Sequence, residues 1–330
     1  MEKLNWGIIG CGDVTEKKSG PAFYTLPHTT LQAVMRRNAD AAADYARRHN
    51  VPQYFTDADN IINNPLVDAI YIATPPESHA YYAIKAMKAG KPVYVEKPMA
   101  LNIEECEEMI SVSKQTGIPL FVAYYRRKMD YFQKIKQIID NGKLGTIISA
   151  QITLWRAPLN ADISENKPWR LDAKKSGGGY FVDMGSHQID LLLWFFGKLK
   201  SVTGFATNRA NLYKSEDTVN AIFEFESGVL ANGSWCFVTP DKLAKDSFEI
   251  IGTKGSLYFS TFEMEYIRMQ TNGREELIVA HKPEVVEKSM ISYVSDLILN
   301  KEQDAEALSS AAEVTLIIDT ILKKYRSGDE

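Results

Sequence analysis

The chain contains 330 residues, enough for two domains of about 100–200 residues each. Hydrophobic residues make up 45% and charged residues 24%, which is typical of a globular protein and excludes a disordered or collagen-like chain. The 38 basic and 42 acidic side chains give a net charge of −4, so no overall basic excess exists for nucleic acid or an anionic membrane surface. The three cysteines lack a C-x-x-C spacing, and the longest apolar run, residues 191–196, is too short to span a bilayer. We therefore expect a cytoplasmic protein that binds neither nucleic acid nor membranes.

Short apolar strands alternate with amphipathic helices in the first third of the chain. Strands are predicted at residues 4–9, 31–35, 67–73, 92–95 and 118–122. Helices are predicted between them at residues 41–49, 78–89 and 103–116. Because a strand, helix, strand repeat makes the chain cross over between strands, the strands pair in parallel. The pattern predicts a doubly wound α/β sheet in a first domain, residues 1–122.

Longer alternating segments separated by turn residues follow residue 123. They predict strands at residues 146–155, 202–207, 219–225, 229–238, 248–252 and 256–259. Helices are predicted at residues 131–140 and 181–196, and an apolar stripe at helical spacing follows from Leu308 to Leu322. We expect residues 123–330 to form a second, α+β domain with a large open sheet that is mostly antiparallel.

The first predicted strand leads directly into a glycine turn, which is formed by Gly10, Cys11, Gly12, Asp13 and Val14. Glycine at positions 10 and 12 permits a tight turn and lets a phosphate group approach the backbone. The third glycine of the G-x-G-x-x-G pattern is replaced by Thr15, so the motif is weak by itself. Its place after the first strand of a parallel sheet is the context that a dinucleotide-binding turn requires. These five residues are predicted to bind the pyrophosphate of a nicotinamide cofactor.

The residues after the second strand indicate which cofactor is used. An NAD enzyme usually has an acidic residue there, about 20 residues past the glycines, to bind the ribose hydroxyls. This chain instead has Arg36 and Arg37, and a guanidinium group suits the 2′-phosphate of NADP. The alternative is that both arginines are solvated surface residues. The pattern favours NADP as the cofactor without excluding NAD, and it predicts Asn38 as a helix N-cap.

Three further motifs resemble those of a known family. They read A-T-P-P-E-S-H at residues 73–79, V-E-K-P at 95–98, and G-G-G-Y-F-V-D-M-G-S-H-Q-I-D at 177–190. With the glycine turn, they resemble the Gfo/Idh/MocA oxidoreductase family over essentially the whole chain. The resemblance implies an N-terminal Rossmann domain that binds NAD(P). It also implies a C-terminal domain like that of glyceraldehyde-phosphate dehydrogenase, which binds substrate and whose open sheet commonly forms homodimers or homotetramers.

The same resemblance implies the roles of individual residues. Lys97 corresponds to the catalytic lysine, and Asp183 and His187 complete the polar site. Chemistry is consistent with these roles, because hydride transfer leaves an alcohol proton to be moved, an ammonium group stabilises a developing alkoxide, and histidine titrates near neutrality. Besides the glycine turn and the two arginines, the residues expected to contact the cofactor are Ala73, Thr74, Pro75, Glu96, Lys97, Trp169 and Arg170.

Other residues have less definite roles. Many family members have Asn where this chain has Tyr125, so the nicotinamide contact made by that Asn is not carried over. The aromatic residues available for sugar binding are Trp155, Tyr180 and Trp235. The resemblance places His79 near the nicotinamide ribose, but a structural hydrogen-bonding role suits it equally, so it is left out of the catalytic residues. No spacing typical of a metal site is present, so no metal is expected.

The expected function is oxidation or reduction of the CH–OH or C=O group of a sugar or polyol, with NADP preferred. Three alternatives use the same scaffold: oxidation of arene dihydrodiols, a redox-neutral glycosidase cycle with tightly held NAD, and ligand sensing without turnover. The missing acid after the second strand argues against the glycosidase cycle. The presence of Lys97, Asp183 and His187 together argues against a sensor, and a structural protein without a dinucleotide fits the motifs least.

Overall fold

The structure, a computed structural model, describes residues 3–280 and 282–328. The chain divides into two compact units. The first comprises Met1–Met129 and Pro283–Thr315, and the second comprises Asp130–Lys282 and Leu316–Glu330. Among the residues described, no helix combines the length and the apolar character needed to cross a membrane.

Six parallel strands form the sheet of the first unit, in the order β3-β2-β1-β4-β5-β6. The strands are β1 (Leu4–Ile9), β2 (Thr29–Met35), β3 (Gln53–Phe55), β4 (Ala69–Ile72), β5 (Val93–Val95) and β6 (Leu120–Val122). This is the strand order of a Rossmann fold, and it reverses direction between β1 and β4. Every residue of β4, β5 and β6 is buried, as expected for strands that helices cover on both faces.

Helices connect these strands. They are α1 (Asp13–Lys17), α2 (Gly20–Thr25), α3 (Ala39–His49), α4 (Asp59–Ile62), α5 (His79–Lys88) and α6 (Ile103–Thr116). The residues at the two ends of α6 explain where this helix begins and ends. Asn102 Oδ1 accepts a hydrogen bond from the Glu105 N–H at 2.9 Å, and Gly117 ends the helix with a φ of 68°. A short 3₁₀ turn, Tyr125–Lys128, follows β6.

The second unit contains an eight-stranded sheet in the order β14-β13-β12-β11-β7-β10-β9-β8. Its strands are β7 (Ile147–Trp155), β8 (Leu199–Thr207), β9 (Thr218–Phe225), β10 (Leu230–Cys236), β11 (Lys245–Gly252), β12 (Gly255–Phe259), β13 (Tyr266–Thr271) and β14 (Arg274–Val279). Neighbouring strands are antiparallel except β7 and β10, which pair in parallel. The predicted open and mostly antiparallel sheet is confirmed.

One helix, α10 (Ser186–Phe196), lies against this sheet and contains the second part of the motif at residues 177–190. The helices of the second unit are α7 (Asp130–Asp140), α8 (Asn160–Ile163), α9 (Ala173–Ser176) and α10 (Ser186–Phe196). Ten of the eleven residues of α10 are buried. Gln188 anchors it, because its Oε1 accepts the indole N–H of Trp235 at 2.7 Å and its Nε2 donates to Thr261 Oγ1 at 3.1 Å.

Two helices end the chain, α11 (Lys288–Leu299) and α12 (Ala305–Ser327). Helix α11 packs within the first unit, where Trp6 Nε1 on β1 donates to Ser295 Oγ at 3.3 Å and the side chains of Ile291 and Val294 are fully buried. The boundary between the units falls inside α12, between Thr315 and Leu316.

The predicted fold class, a doubly wound parallel sheet and an α+β domain, is confirmed. The structure differs in the course of the chain, since residues 283–315 pack with the first unit whereas the sequence interpretation placed all of 123–330 in the second domain. The predicted end of the first domain, residue 122, lies seven residues before the end of the first segment of that unit, Met129. Strands β3, β13 and β14, the short helices α1, α2, α4, α8 and α9, and helix α11 were not predicted.

Candidate active site

The glycine turn lies at the carboxyl end of β1, in the first unit. Gly10 has a φ of +95°, and the N–H groups of Gly10 and Cys11 donate to Met35 O at the end of β2, at 2.9 and 3.1 Å. A Cβ atom at Gly10 would lie 2.8–2.9 Å from Thr74 and Ala73, so only glycine fits. At Gly12, by contrast, a Cβ would meet only Gly10 O, at 3.9 Å. The turn therefore packs against residues 73–74 on one side and leaves open space at Gly12, as a phosphate-binding turn requires.

Thr15 takes over part of the role of the missing third glycine. Its Oγ1 donates to Gly12 O at 2.8 Å, and its carbonyl oxygen accepts from Tyr45 Oη at 3.0 Å. The close approach that the third glycine usually permits occurs at Gly20 instead, where a Cβ would lie 2.0 Å from Thr15 O. The segment between the glycine turn and β2 thus contains two short helices, α1 and α2, instead of one continuous helix.

Arg36 and Arg37 follow β2, and both are exposed. The Arg36 N–H donates to Phe55 O at 3.1 Å. Burial raises the pKa of the Cys11 thiol to about 11, and the charge of Arg36 is the largest effect that opposes this rise, which places that charge near the glycine turn. Among the described residues neither arginine forms an ion pair with an acidic side chain. Asn38 is the N-cap of α3, because its Oδ1 accepts from the Ala41 N–H at 2.9 Å, and this prediction is confirmed.

His79 joins the loops that follow β4 and β5. It is fully buried, with Nε2 2.8 Å from Thr74 O and Nδ1 2.9 Å from Pro98 O. Burial lowers its pKa, against the opposing effect of these carbonyl groups. The ring therefore fixes residues 73–75 relative to the loop that carries Lys97, and its interpretation as a structural hydrogen-bonding residue is confirmed.

Lys97 is half-buried at the carboxyl end of β5. The preceding residue, Glu96, continues the strand because its N–H donates to Ile72 O at 2.9 Å. The Glu96 carboxylate accepts from Tyr71 Oη at 2.5 Å and from the Lys97 backbone N–H at 3.2 Å. Glu96 is buried, and its two hydrogen bonds fix the backbone at the end of β5, directly before Lys97.

Trp169, Arg170 and Asp183 form one connected group in the second unit. The Arg170 guanidinium lies 4.6 Å from the centre of the Trp169 ring, and its Nε donates to Asp183 Oδ2 at 3.1 Å. The sequence motifs predict Trp169 and Arg170 as cofactor contacts and give no sign of their contact with Asp183. The ion pair fixes the orientation of the Asp183 carboxylate, which the stacked Trp169 ring reinforces.

The predicted helix at residues 181–196 begins with a wide π-helical turn, Phe181–Gly185, before α10 starts at Ser186. Asp183 lies in this turn and His187 lies in the first turn of α10. Only 4% of His187 is exposed, and its ring packs edge-on against Phe262 with 6.2 Å between ring centres. π-Helical turns are frequent at functional sites because they change where side chains project from a helix.

A second buried carboxyl group supports the glycines before this turn. Glu216 Oε1 accepts the Gly179 N–H at 2.7 Å, and a Cβ at Gly178 would come within 3.1 Å of the same oxygen. Burial raises the pKa of Glu216 to about 7, although the Gly179 N–H and the charge of Arg326 oppose the rise. Nothing in the sequence pattern pointed to this residue.

The aromatic residues offered for sugar binding need correction. Trp235 is fully buried and bonded to Gln188, and Tyr180 is buried with its Oη 2.5 Å from Asp162 Oδ1. Trp155 remains partly exposed, with its indole N–H donating to Ser234 Oγ at 3.1 Å. Two of the three aromatic residues therefore belong to the core of the second unit and cannot stack against a sugar.

The residues of the first unit fit a dinucleotide. Open space at Gly12 matches a pyrophosphate, the basic side chain of Arg36 acts on the same turn, and residues 73–75 lie against Gly10. No group of three or more His, Cys, Asp or Glu side chains able to hold a metal ion occurs in the described segments, 3–280 and 282–328.

Comparisons with known proteins agree with this arrangement. Residues 4–124 match the family model of the oxidoreductase family with an NAD-binding Rossmann fold, and residues 132–258 match the model of the GFO/IDH/MocA C-terminal domain. The chain is 39% identical over 318 residues to oxidoreductase P35 of Formosa agariphila, which covers 96% of this chain and 98% of that protein.

Two further relatives carry more specific names. The 1,5-anhydro-D-fructose reductase of Ensifer adhaerens is 28% identical over 256 residues, covering 76% of this chain and 74% of that protein. A solved structure of levoglucosan dehydrogenase in complex with NADH and L-sorbose superimposes with a TM-score of 0.88 at 23% identity, covering 99% of this chain and 98% of that one. At that identity the likeness establishes the fold alone.

Proposed function

The chain belongs to the Gfo/Idh/MocA family of NAD(P)-dependent oxidoreductases, and we propose that it oxidises or reduces the CH–OH or C=O group of a sugar, an anhydro sugar or a polyol, with NADP preferred. The observation that carries the proposal is the grouping of three loops at the carboxyl ends of β1, β4 and β5. Gly10 packs against residues 73–74, and His79 bonds that loop to the one that follows Lys97. In an open parallel sheet ligands bind where the strand order reverses, which here is between β1 and β4.

The preference for NADP rests on Arg36 and Arg37. Both are exposed beside the glycine turn, and no acidic residue follows β2 to bind the ribose hydroxyls. A guanidinium group binds a 2′-phosphate through paired, charge-assisted hydrogen bonds. The levoglucosan dehydrogenase structure contains NADH, so the choice between the two cofactors is proposed for this chain from its own two arginines.

Lys97 is proposed to act on the reacting oxygen of the substrate. The bound nicotinamide would supply the chemistry of hydride transfer. When an alcohol is oxidised, its proton must leave as the hydride is transferred, and the Lys97 ammonium group hydrogen-bonds the oxygen and stabilises the negative charge that develops on it. In the direction of reduction, the same ammonium group stabilises the alkoxide that forms, and the proton returns to the oxygen from His187.

Asp183 and His187 are proposed to complete the proton transfer. The Arg170 ion pair holds the Asp183 carboxylate in one orientation, which suits a group that fixes a substrate hydroxyl. The ring nitrogens of His187 can accept and donate a proton. Both roles follow from the family motif. The two residues are four positions apart, Asp183 in the π-helical turn and His187 at the start of α10.

We also propose that the enzyme is a homodimer or homotetramer. The sheet of the second unit exposes several large apolar side chains, among them Phe205 (67% exposed) and Ile222 (58%). Apolar residues exposed together mark a surface that another protein covers, and a second copy of the chain is the partner proposed. Light scattering after gel filtration measures the mass, and a monomer at micromolar concentration would contradict the proposal.

The cytoplasm is the proposed site of the reaction. Cys11, Cys106 and Cys236 form no disulfide among the described residues, and Cys11 and Cys106 are buried, which suits a reducing compartment.

A turnover screen tests the proposed function. Purified protein is mixed with NADP⁺ or NAD⁺ and a panel of aldoses, ketoses, anhydro sugars, inositols and arene dihydrodiols, and the reduced nicotinamide is followed by fluorescence. We expect turnover with at least one sugar or polyol and a higher kcat/KM with NADP⁺ than with NAD⁺. Binding of the cofactor without turnover on the whole panel would contradict the proposal and favour a ligand sensor.

A pair of lysine variants distinguishes catalysis from a general loss of structure. Lys97→Met should abolish turnover and leave cofactor affinity within about threefold, because the side chain acts on the substrate oxygen. Lys88→Met makes the same chemical change on the exposed end of α5 and should leave both quantities unaltered. Full activity of Lys97→Met would remove Lys97 from the mechanism.

A further inference from the structure

Glu287 is a buried acid that the mechanism above does not use. It lies in the C-terminal segment that packs with the first unit, directly before α11, and no part of it is exposed. Its backbone N–H donates to Lys18 O at 3.2 Å, and its Oε2 accepts from Tyr94 Oη at 3.1 Å. Within the described part of the chain, no N–H group and no Ser, Thr or Tyr hydroxyl donates to the other carboxyl oxygen, Oε1. A carboxyl group so placed has little to stabilise a negative charge.

The carboxyl group of Glu96, the residue before Lys97, acts on the carboxyl group of Glu287. Burial raises the pKa of Glu287 well above its ordinary value, and the charge of Glu96 and a hydrogen bond to the Glu96 carboxyl raise it further. Tyr94 and the charge of Lys18 act in the opposite direction and are smaller. The two acids therefore form a contacting pair beneath the corner that carries Lys97.

Two carboxyl groups in contact inside a protein cannot both be ionised, so they share one proton. Hydrogen bonds decide which acid holds it. Glu96 receives two donors, Tyr71 Oη at 2.5 Å and the Lys97 N–H at 3.2 Å, whereas Glu287 receives one, from Tyr94. Because donors stabilise the charged form and Glu287 receives fewer of them, we place the shared proton on Glu287.

We propose that Glu287 is a positioning residue for Lys97: its proton is shared with Glu96 and keeps a single negative charge directed at the Lys97 N–H. The inference rests on the proposed role of Lys97 at the substrate oxygen. Glu287 does not touch the substrate or the cofactor. It acts through Glu96, whose carboxylate fixes the backbone from which the Lys97 side chain extends.

Around the loop that carries Lys97, the pair of acids is the group whose charge changes with pH, because the neighbouring tyrosines keep their protons. The facing tyrosines, Tyr71 and Tyr94, have pKa values raised well above normal by burial, and burial also raises the pKa of Tyr125, so all three keep their protons. Two basic groups also act here: Lys18 lowers the pKa of Glu287, and Arg126 lowers the pKa of Tyr125. Loss of the shared proton at high pH would put two negative charges in contact and drive the carboxylates apart.

Two substitutions separate the proton from the charge. Glu287→Gln reproduces the protonated acid, since its carbonyl accepts from Tyr94 and its amide donates to Glu96. Glu287→Leu has a similar size but offers neither group, so Tyr94 and Glu96 each lose a partner. We expect kcat of the Gln variant within about threefold of wild type and kcat of the Leu variant lower by about tenfold or more, with cofactor affinity within about threefold in both.

The pH profile of kcat provides a readout that a purely structural role would not change. In the wild-type enzyme, loss of the shared proton should contribute to the fall of kcat at alkaline pH, the alkaline limb of the profile. In Glu287→Gln that proton cannot be lost, so the limb should move to higher pH. An unmoved limb, or a Gln variant as impaired as the Leu variant, would overturn the inference. If the Leu variant does not fold, the Gln variant alone still decides the question.

A stability measurement keeps the inference separate from the proposed function. Glu287 is protonated in the folded protein and ionised above about pH 4.5 in the unfolded chain, so wild-type stability should fall as the pH rises above that value. Glu287→Gln lacks this loss. Its melting temperature relative to wild type should therefore increase from pH 5 to pH 8, while Glu284→Gln, the same change at an exposed position nearby, should show no such trend.

The outcomes are distinguishable. A wild-type protein without turnover on the sugar panel would reject the proposed function, and the melting temperatures would still show whether Glu287 holds a proton. Turnover in the wild type combined with parallel pH dependences of wild type and Glu287→Gln would reject the inference alone.

Discussion

Glu216 offers a sharp test of the electrostatics in the second unit, through the substitution Glu216→Gln. The glutamine retains an acceptor for the Gly179 N–H but cannot ionise. Burial raises the pKa of Glu216 from 4.5 to about 7 in the folded protein, so the unfolded chain releases this proton at lower pH than the folded protein does. The wild-type stability associated with Glu216 is thus fully present below about pH 4.5 and is lost as the pH rises to about 7 and above.

The magnitude follows from the size of the pKa shift. A rise from 4.5 to about 7 corresponds to a loss of about 3 kcal/mol in the free energy of unfolding, most of which falls between pH 5 and pH 8. Glu216→Gln should lack this loss. Because the comparison is between two pH values, any constant effect of the substitution cancels, and the variant should gain about 2–3 kcal/mol in unfolding free energy on the wild type from pH 5 to pH 8.

Urea denaturation followed by circular dichroism at pH 5, 6, 7 and 8 measures the difference. Glu224→Gln is the matched control, since Glu224 is an exposed acid whose pKa is lowered by a hydrogen bond from Lys200. A lowered pKa affects stability only below about pH 4.5, so this control should follow the wild type from pH 5 to pH 8. If Glu216→Gln also follows the wild type over that range, Glu216 does not hold a proton in the folded protein and the reasoning is refuted.

The remaining predictions concern the cofactor loops. Replacing Arg36 and Arg37 together by alanine should weaken NADPH binding by about tenfold or more and leave NADH binding nearly unchanged, as measured by nicotinamide fluorescence; equal effects on both cofactors would contradict the 2′-phosphate contact. Gly12→Ala should weaken cofactor binding without lowering the melting temperature, because its Cβ enters open space, whereas Gly10→Ala should destabilise the fold by about 1–3 kcal/mol at a φ of +95°. Loss of the N-cap in Asn38→Ala should cost about 1 kcal/mol in urea denaturation, and an unchanged unfolding free energy would contradict the cap.

Elements with a strong pattern of burial could be predicted from the sequence, and weakly patterned ones could not. Strand β4 is buried at all four positions and reads as a continuous apolar segment. Strand β14 is the opposite case: it is the edge of the sheet, and its residues, which begin Arg274-Glu275-Glu276, are mostly exposed. Strand β3 has only three residues. Without an apolar face, neither short nor edge strands leave a periodic signal.

Site residues divide in a similar way. Lys97 and the glycine turn belong to motifs that are contiguous in sequence, so their neighbours could be recognised together. Trp235 failed as a sugar-binding candidate because its exposure depends on which face of β10 it occupies and on what covers that face. Trp235 points at Gln188 of α10, and the sequence gives no indication of that pairing. The Arg170–Asp183 ion pair was missed for the same reason, since thirteen residues separate its partners.

Buried acids were the least predictable features, because each supports a loop that is distant in sequence. Glu216 bonds to Gly179 across 37 residues, and Glu287 bonds to Tyr94 across 193. The second of these bonds changes what counts as the first domain. Residues 283–315 supply the Glu287 carboxyl beside Glu96 and the Ser295 hydroxyl that accepts from Trp6 on β1. A boundary drawn after the sixth strand would therefore remove both an acceptor from the central strand and the acid that shares a proton beneath Lys97. The unit that folds around the glycine turn is consequently discontinuous, and the C-terminal segment is part of it.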